Sequence, residues 1–166
     1  IGEKKFKSLV KRKLDGLNLA PFYGCYLVRP SKALRFYENP ERETCLEDLT
    51  EWVGAKPTEY AGSRACCGFP ILTINEKAAL KMVGNHTSTA KDLGADAMVT
   101  PCPLCHLNLD QYQNRAAGMM KREIDIPIIH VPQLVGLALG LDPKELKINK
   151  HIISTKKLLS EISLRP

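Results

Sequence analysis

Residues 95–110 read ADAMVTPCPLCHLNLD. The first six, Ala95 to Thr100, make a short apolar run that stops at Pro101, the pattern of a short buried strand. A helix is expected from about Pro103 to Lys121. Pro103 has no N–H, which matters little in the first turn of a helix. Cys102 and Cys105 therefore sit where a strand gives way to a helix. Helix N-termini favour anions, so this position should lower a thiol pKa and hold a thiolate.

Working outward, the same alternation repeats. Upstream, a helix is expected over 74–93, with Ile74, Ala78, Met82 and Leu93 broadly on one side and Gly94 as its cap. Before it, the segment PTEYAGSRACC (57–67) reads as a weak strand ending at the adjacent pair Cys66 and Cys67, with Gly68 leaving room to turn. Further upstream come a helix over 4–14, a strand within 17–27 that runs into a Gly24-Cys25 turn, and a short helix over 44–53. Residues 29–43 are Pro- and charge-rich and read as a long excursion. Downstream, IPIIHV (126–131) is a fourth strand, followed by helices over 132–140 and from about Thr155 onward.

A helix followed by four strand–helix units implies an α/β fold of about four parallel strands with covering helices. Right-handed crossovers put the carboxyl ends of parallel strands on one edge, and that edge is where open α/β sheets bind ligands. Cys25, Cys66, Cys67, Cys102 and Cys105 are far apart in sequence, yet this plan makes them converge there.

The chain has 166 residues, a length that suits one domain with a single core. No window approaches eighteen consecutive apolar residues, so no transmembrane segment is expected. No apolar h-region marks a secretory signal near the start, which points to a cytoplasmic location. The chain begins at Ile1 and reads as a fragment or a separately encoded half. Its net charge is +6, much of it in Lys4, Lys5, Lys7, Lys11, Arg12 and Lys13. That run invites a nucleic-acid reading. With Phe6, Leu9, Val10 and Leu14 at helical spacing and no aromatic stacking platform, the solvated face of an amphipathic helix is preferred, and no nucleic-acid partner is expected. Docking onto an acidic partner subunit fits equally well.

Six cysteines need a cause. The chain is too long and too rich in apolar runs to need disulfide staples, and its spacings suit metal or redox chemistry in a reducing compartment. A thioredoxin-like dithiol explains only Cys102-x-x-Cys105. A four-cysteine zinc site usually takes two Cys-x-x-Cys pairs, whereas Cys66 and Cys67 are adjacent and do not easily chelate one tetrahedral ion. A cluster of several irons accepts adjacent thiolates more readily. The spacing thus favours an iron–sulfur cluster, then zinc, then a dithiol or disulfide. Cys45 lies outside the pattern, on the helix over 44–53, and is expected to be a structural thiol.

The pattern Cys25…Cys66-Cys67-Gly68…Cys102-Pro103-Leu104-Cys105 resembles the CCG domain. Its surroundings, Tyr23-Gly24-Cys25, His106-Leu107-Asn108-Leu109-Asp110, His130 with Gln133 to Gly140, and Lys150 to Thr155, resemble the C-terminal half of the heterodisulfide reductase B-subunit family. The resemblance runs over almost the whole chain. It implies a single CCG domain over 1–166, one of two in such a polypeptide. It implies a non-cubane [4Fe-4S] cluster held by Cys25, Cys66, Cys67, Cys102 and Cys105. It implies an oxidoreductase that splits a small disulfide, coenzyme M joined to coenzyme B or a related substrate, into thiols. The implied partners are the N-terminal CCG half or an equivalent subunit, and other subunits carrying iron–sulfur clusters and flavin. This sequence places forty residues between Cys25 and Cys66, and Phe69 where the family has something smaller.

His106 and His130 are the candidate catalytic histidines. His106 follows Cys105 and is placed to hydrogen-bond a cluster sulfur or to protonate a product thiolate; His130 ends the fourth strand and reaches the same edge. Helix capping and solvent exposure are the bland alternatives. His86 and His151 carry no comparable argument. Arg29, Lys32 and Arg64 lie near the cysteines, where they either attract anionic substrate groups or remain plain surface charges. Two functions follow: a catalytic disulfide reductase, incomplete as one domain, or a non-catalytic electron-relay or assembly module with a structural cluster or zinc.

Overall fold

A computed structural model describes residues 2–163. Its strands are β1 (Asn18–Pro21), β2 (Lys56–Pro57), β3 (Ala97–Thr100) and β4 (Ile128–His130). They form one parallel sheet in the order β2-β1-β3-β4. The α/β class and the four parallel strands are as the sequence implies. From β1 the chain crosses outward to β2 on one side and then back to β3 on the other. The gap between β1 and β3 is therefore the point where the winding reverses, the place at which open sheets gather ligands.

The helices are α1 (Glu3–Leu9), α2 (Ser31–Leu34), α3 (Pro40–Glu43), α4 (Cys45–Trp52), α5 (Glu76–Asp92), α6 (Pro103–Gln111), α7 (Gln113–Met120), α8 (Val131–Ala138) and α9 (Lys156–Ser163). Apolar side chains alternate across the sheet and fill two layers. Leu17, Leu19, Ala97, Val99 and Ile129 pack with α1, α8 and α9 on one face; Ala20, Met98 and Ile128 pack with α5, α6 and α7 on the other. Every β3 residue is buried, as a central strand covered on both faces requires.

Four boundaries differ from the sequence expectation, each for a local reason. α1 stops at Leu9 because Val10 turns extended and the N–H groups of Lys11 and Arg12 go to the Ala138 carbonyl. The segment 57–67 is not a strand. Only Lys56 and Pro57 pair with β1, and the chain then leaves the sheet as a loop, so Cys66 and Cys67 do not end a strand. α5 starts at Glu76, with the Asn75 side chain accepting from the Ala78 N–H at 3.0 Å, which leaves Ile74 outside the helix and 83% exposed. The helix expected over 103–121 breaks at Tyr112, where the Gln113 side-chain amide replaces a main-chain donor on the Leu109 carbonyl at 3.1 Å. The same buried amide pairs with both polar groups of Ile126, tying α7 to the start of β4. Among the described residues no helix is long and apolar enough to cross a membrane.

Candidate functional site

The loops after β1 and β3 and the loop that leaves β2 bring five cysteines together beyond the carboxyl edge of the sheet. Cys25 contacts Cys66 and feels the charge of Cys67; Cys67 hydrogen-bonds Cys105, which in turn contacts Cys102. All five are free thiols. Cys67 and Cys105 are buried, and Cys25, Cys66 and Cys102 are half-buried. Cys45 is exposed on α4, touching Tyr23 and none of the five.

Two glycines make this meeting possible. Gly24 has φ +69°, and a Cβ there would lie 2.7 Å from the Cys105 sulfur. Gly68 has φ +95°, and its Cβ would press on the backbone of Ala79 in α5 at 3.0–3.1 Å. Side chains at either position would push a thiol-bearing loop out of place.

The thiols are electrostatically unequal. Cys67 is pulled down to about 7, chiefly by its hydrogen bond with Cys105 and further by the N–H groups of Phe69 and Cys67 itself, against the opposing effect of burial. Cys105 is pushed strongly up, first because it shares that hydrogen bond with Cys67, then by burial and by the neighbouring charges of Cys67 and Cys102. Cys25 is also raised, mainly by burial and then by Cys66. One member thus ionises first while its neighbour holds the proton, as expected for closely packed thiols. Among the described residues no three His, Cys, Asp or Glu side chains are arranged to hold a metal ion.

The Cys66–Cys67 loop is fastened by long-range bonds. The Tyr23 N–H donates to the Ser63 carbonyl at 2.8 Å. Arg64 lies over the Tyr23 and Phe36 rings at 5.5 and 5.7 Å and donates to the Glu43 carbonyl. Arg64 therefore bridges this loop to the 29–43 excursion. The Cys66 carbonyl faces His86 Nε2 at 3.0 Å, and the Cys67 carbonyl accepts from Asn108 Nδ2 at 2.8 Å.

The two candidate histidines, His106 directly after Cys105 on α6 and His130 at the end of β4, both turn a ring nitrogen to a main-chain carbonyl. His106 Nε2 faces the Ile128 carbonyl at 3.1 Å. His130 Nε2 faces the Pro101 carbonyl at 3.1 Å, while its ring accepts the Gln133 N–H and the Gln133 side chain accepts the His130 N–H. Both His130 nitrogens are thus engaged in fixing the start of α8. His151, for which the sequence offered no argument, completes a cluster: its ring is 4.7 Å from His106, which is 5.8 Å from His130. Burial lowers the pKa of His106 and of His151, with Asp110 opposing the shift in both. Asp110 itself is fixed by the N–H groups of Ile152 and Ile153 at 2.7 and 3.0 Å. The sequence does not single out His86, Asn108, Asp110 or His151 as site residues. Only the Asn-Leu-Asp run after Cys105 hints at two of them.

Residues 19–110 match the family model described as CCG, the cysteine-rich domain. The chain belongs to the CCG family. All five converging cysteines of this CCG protein lie within the matched span. It is 40% identical over 93% of its length to the 8-methylmenaquinol:fumarate reductase membrane anchor subunit of Wolinella succinogenes. It is 34% identical over 98% of its length to the B subunit of a ferredoxin/F420H2-dependent CoB-CoM heterodisulfide reductase of Methanosarcina acetivorans. The B subunit of the ferredoxin:CoB-CoM heterodisulfide reductase of Methanosarcina mazei is 32% identical over 97%. The chain spans 54% of each of these three, about half the length of the curated relatives it matches. A crystal structure of a hypothetical protein from Helicobacter pylori superposes with a TM-score of 0.67 at 18% identity, over 92% of this chain and 28% of the other; that likeness is one of fold.

Proposed function

We propose that this CCG protein is one half of a redox module like the heterodisulfide reductase B subunit, with Cys25, Cys66, Cys67, Cys102 and Cys105 holding a non-cubane [4Fe-4S] cluster. The observation that carries the reading is the convergence of five thiols from three chain segments at one sheet edge. Thiolates are the donors iron–sulfur clusters take, and the adjacent pair suits several irons better than one. When bound, the cluster supplies electrons to a small disulfide, which takes up two electrons and two protons and leaves as two thiols. The chain's own residues have three tasks. The thiols surrender their protons to become ligands, Cys67 first. Gly24 and Gly68 let the loops close. His106, whose Nδ1 has no partner among the described residues, is the ring free to move a proton, with His130 fixed as its neighbour.

Tyr26, Leu104 and Leu107 flank the thiols and are exposed. An apolar rim of this kind suits a docked partner. The second CCG half is the proposed occupant, with further iron–sulfur and flavin subunits as the source of electrons. A cytoplasmic location goes with this reading.

The 40% identity to a fumarate reductase anchor subunit favours a second reading, an electron relay or assembly module in which the cluster, or zinc, meets no disulfide. One experiment separates them. The full polypeptide, prepared anaerobically, is analysed for iron and acid-labile sulfide and then titrated with small disulfides and thiols while its iron is watched by electron paramagnetic resonance. Several irons per chain and a spectrum that responds to a disulfide support the first reading. A loaded protein blind to disulfides supports the relay. Zinc alone under iron-replete expression overturns the cluster.

A further inference from the structure

His86 and Asn108 grip the two consecutive carbonyls of the Cys66–Cys67 pair from different helices, α5 and α6. The pair lies in a loop, so no sheet ladder reaches those carbonyls, and among the described residues no main-chain N–H is bonded to either. A carbonyl can only accept, so His86 carries its proton on Nε2 and Asn108 presents its amide nitrogen. Asn108 is wholly buried, and its Oδ1 has no partner among the described residues. A leucine would fill the same space without leaving an orphan, so packing does not account for the amide; the bond to Cys67 does.

The two carbonyls belong to peptide units whose N–H groups face sulfur. The Cys67 carbonyl shares its peptide with the Gly68 N–H, which points at the Cys66 sulfur at 3.4 Å. The Cys66 carbonyl shares its peptide with the Cys67 N–H, the main-chain donor of the residue that carries the Cys67 sulfur. Both peptides are trans, so in each the C=O and N–H point in opposite directions. A donor on the oxygen therefore fixes the N–H on the far side and strengthens it by polarisation. We infer that His86 and Asn108 are positioning residues that act through these peptides on the sulfurs of Cys67 and Cys66, respectively. The inference rests on the cluster reading above, because N–H bonds to ligand sulfur help set a cluster's reduction potential. Each such bond stabilises the added negative charge of the reduced state.

The test uses the full polypeptide, purified anaerobically, as wild type, Asn108→Leu, His86→Phe and His86→Gln. Iron and sulfide content, the midpoint potential, and amide exchange at Cys67 and Gly68 are measured. Asn108→Leu should retain iron, titrate at a more negative potential than wild type, and exchange the Gly68 amide faster. His86→Phe should shift the potential the same way, and His86→Gln, which keeps a donor, should return it toward wild type. Loaded Asn108→Leu with wild-type potential and exchange overturns the inference. If Asn108→Leu takes up no iron, the two His86 variants decide: equal potentials overturn it, and rescue by glutamine upholds it. A wild type without iron and sulfide sinks the cluster reading instead, and Gly68 exchange in Asn108→Leu then judges the positioning role alone: faster exchange upholds it, unchanged exchange overturns it.

Discussion

Cys102 and Cys105 reach the site on the shortest possible support, two residues past the end of β3 and inside the first turn of α6. Cys66 and Cys67 reach it nine and ten residues beyond the end of β2, on a loop with no ladder bonds of its own. The first pair is placed by backbone periodicity. The second is placed by bonds that reach across the fold: the Tyr23 N–H to Ser63, Arg64 of the loop out to Glu43, and the side chains of His86 and Asn108 to the carbonyls of the pair itself. A site of this kind has a stiff half and a tied half, and the two should fail differently.

The largest expected effect tests whether both halves are needed. Cys66→Ser and Cys105→Ser should each cost most of the bound iron in anaerobic preparations, read by iron and sulfide analysis. If only the Cys105 variant lost iron, the tied half would be dispensable and the five-thiol proposal wrong.

Gly24→Ala attacks the point where the first loop closes over Cys105. The positive φ and the 2.7 Å approach to sulfur together should cost about 2 kcal/mol by chemical denaturation, with a matching drop in iron retention. Arg64→Ala should sharpen the contrast further. Loss of its ring contacts and carbonyl bond should destabilise by about 1 kcal/mol, and hydrogen exchange should rise over 58–68 while α6 stays protected.

The pH dependence is smaller and concerns the histidine cluster beside the stiff half. Burial holds His151 below the ordinary histidine value of about 6.5, so the unfolded chain takes up its proton first as pH falls. Stability is therefore full above about 6.5 and declines as pH drops from there through the lower folded-state value. Replacing His151 by Phe should flatten that slope in denaturation measured between pH 7 and 5, and an unchanged slope would assign it to other groups. The smallest effect belongs to Cys45→Ser, which should leave iron content unaltered and stability within about 0.5 kcal/mol.

The stiff half is legible in the sequence for the reason that makes it stiff. A short apolar run, a proline and a helix start are local signals, and ADAMVTPCPLC contains all three. The four parallel strands and the convergence of the five thiols follow from that alternation. The tied half reads wrongly as a strand because PTEYAGSRACC shows the right residues at its end but gives no sign that its bonds go to side chains 20 and 41 positions away in sequence. His151 and Asp110 stay hidden for the same reason, since their partners lie on other elements. The break at Tyr112 depends on one buried glutamine whose local sequence reads as continuous helix.

The parallel pairing of β1 with β3 has a consequence in time as well as in space. Cys25 leaves the ribosome about eighty residues before Cys105, an interval of roughly 4–16 s at about 5–20 residues per second. Until β3 emerges, β1 has no inner neighbour, and the first three thiols of the set wait on an unfinished sheet. Assembly of the site therefore cannot begin to close before the segment carrying Cys102 and Cys105 has been made. The cell must keep those early thiols reduced for seconds before the chain can shelter them itself.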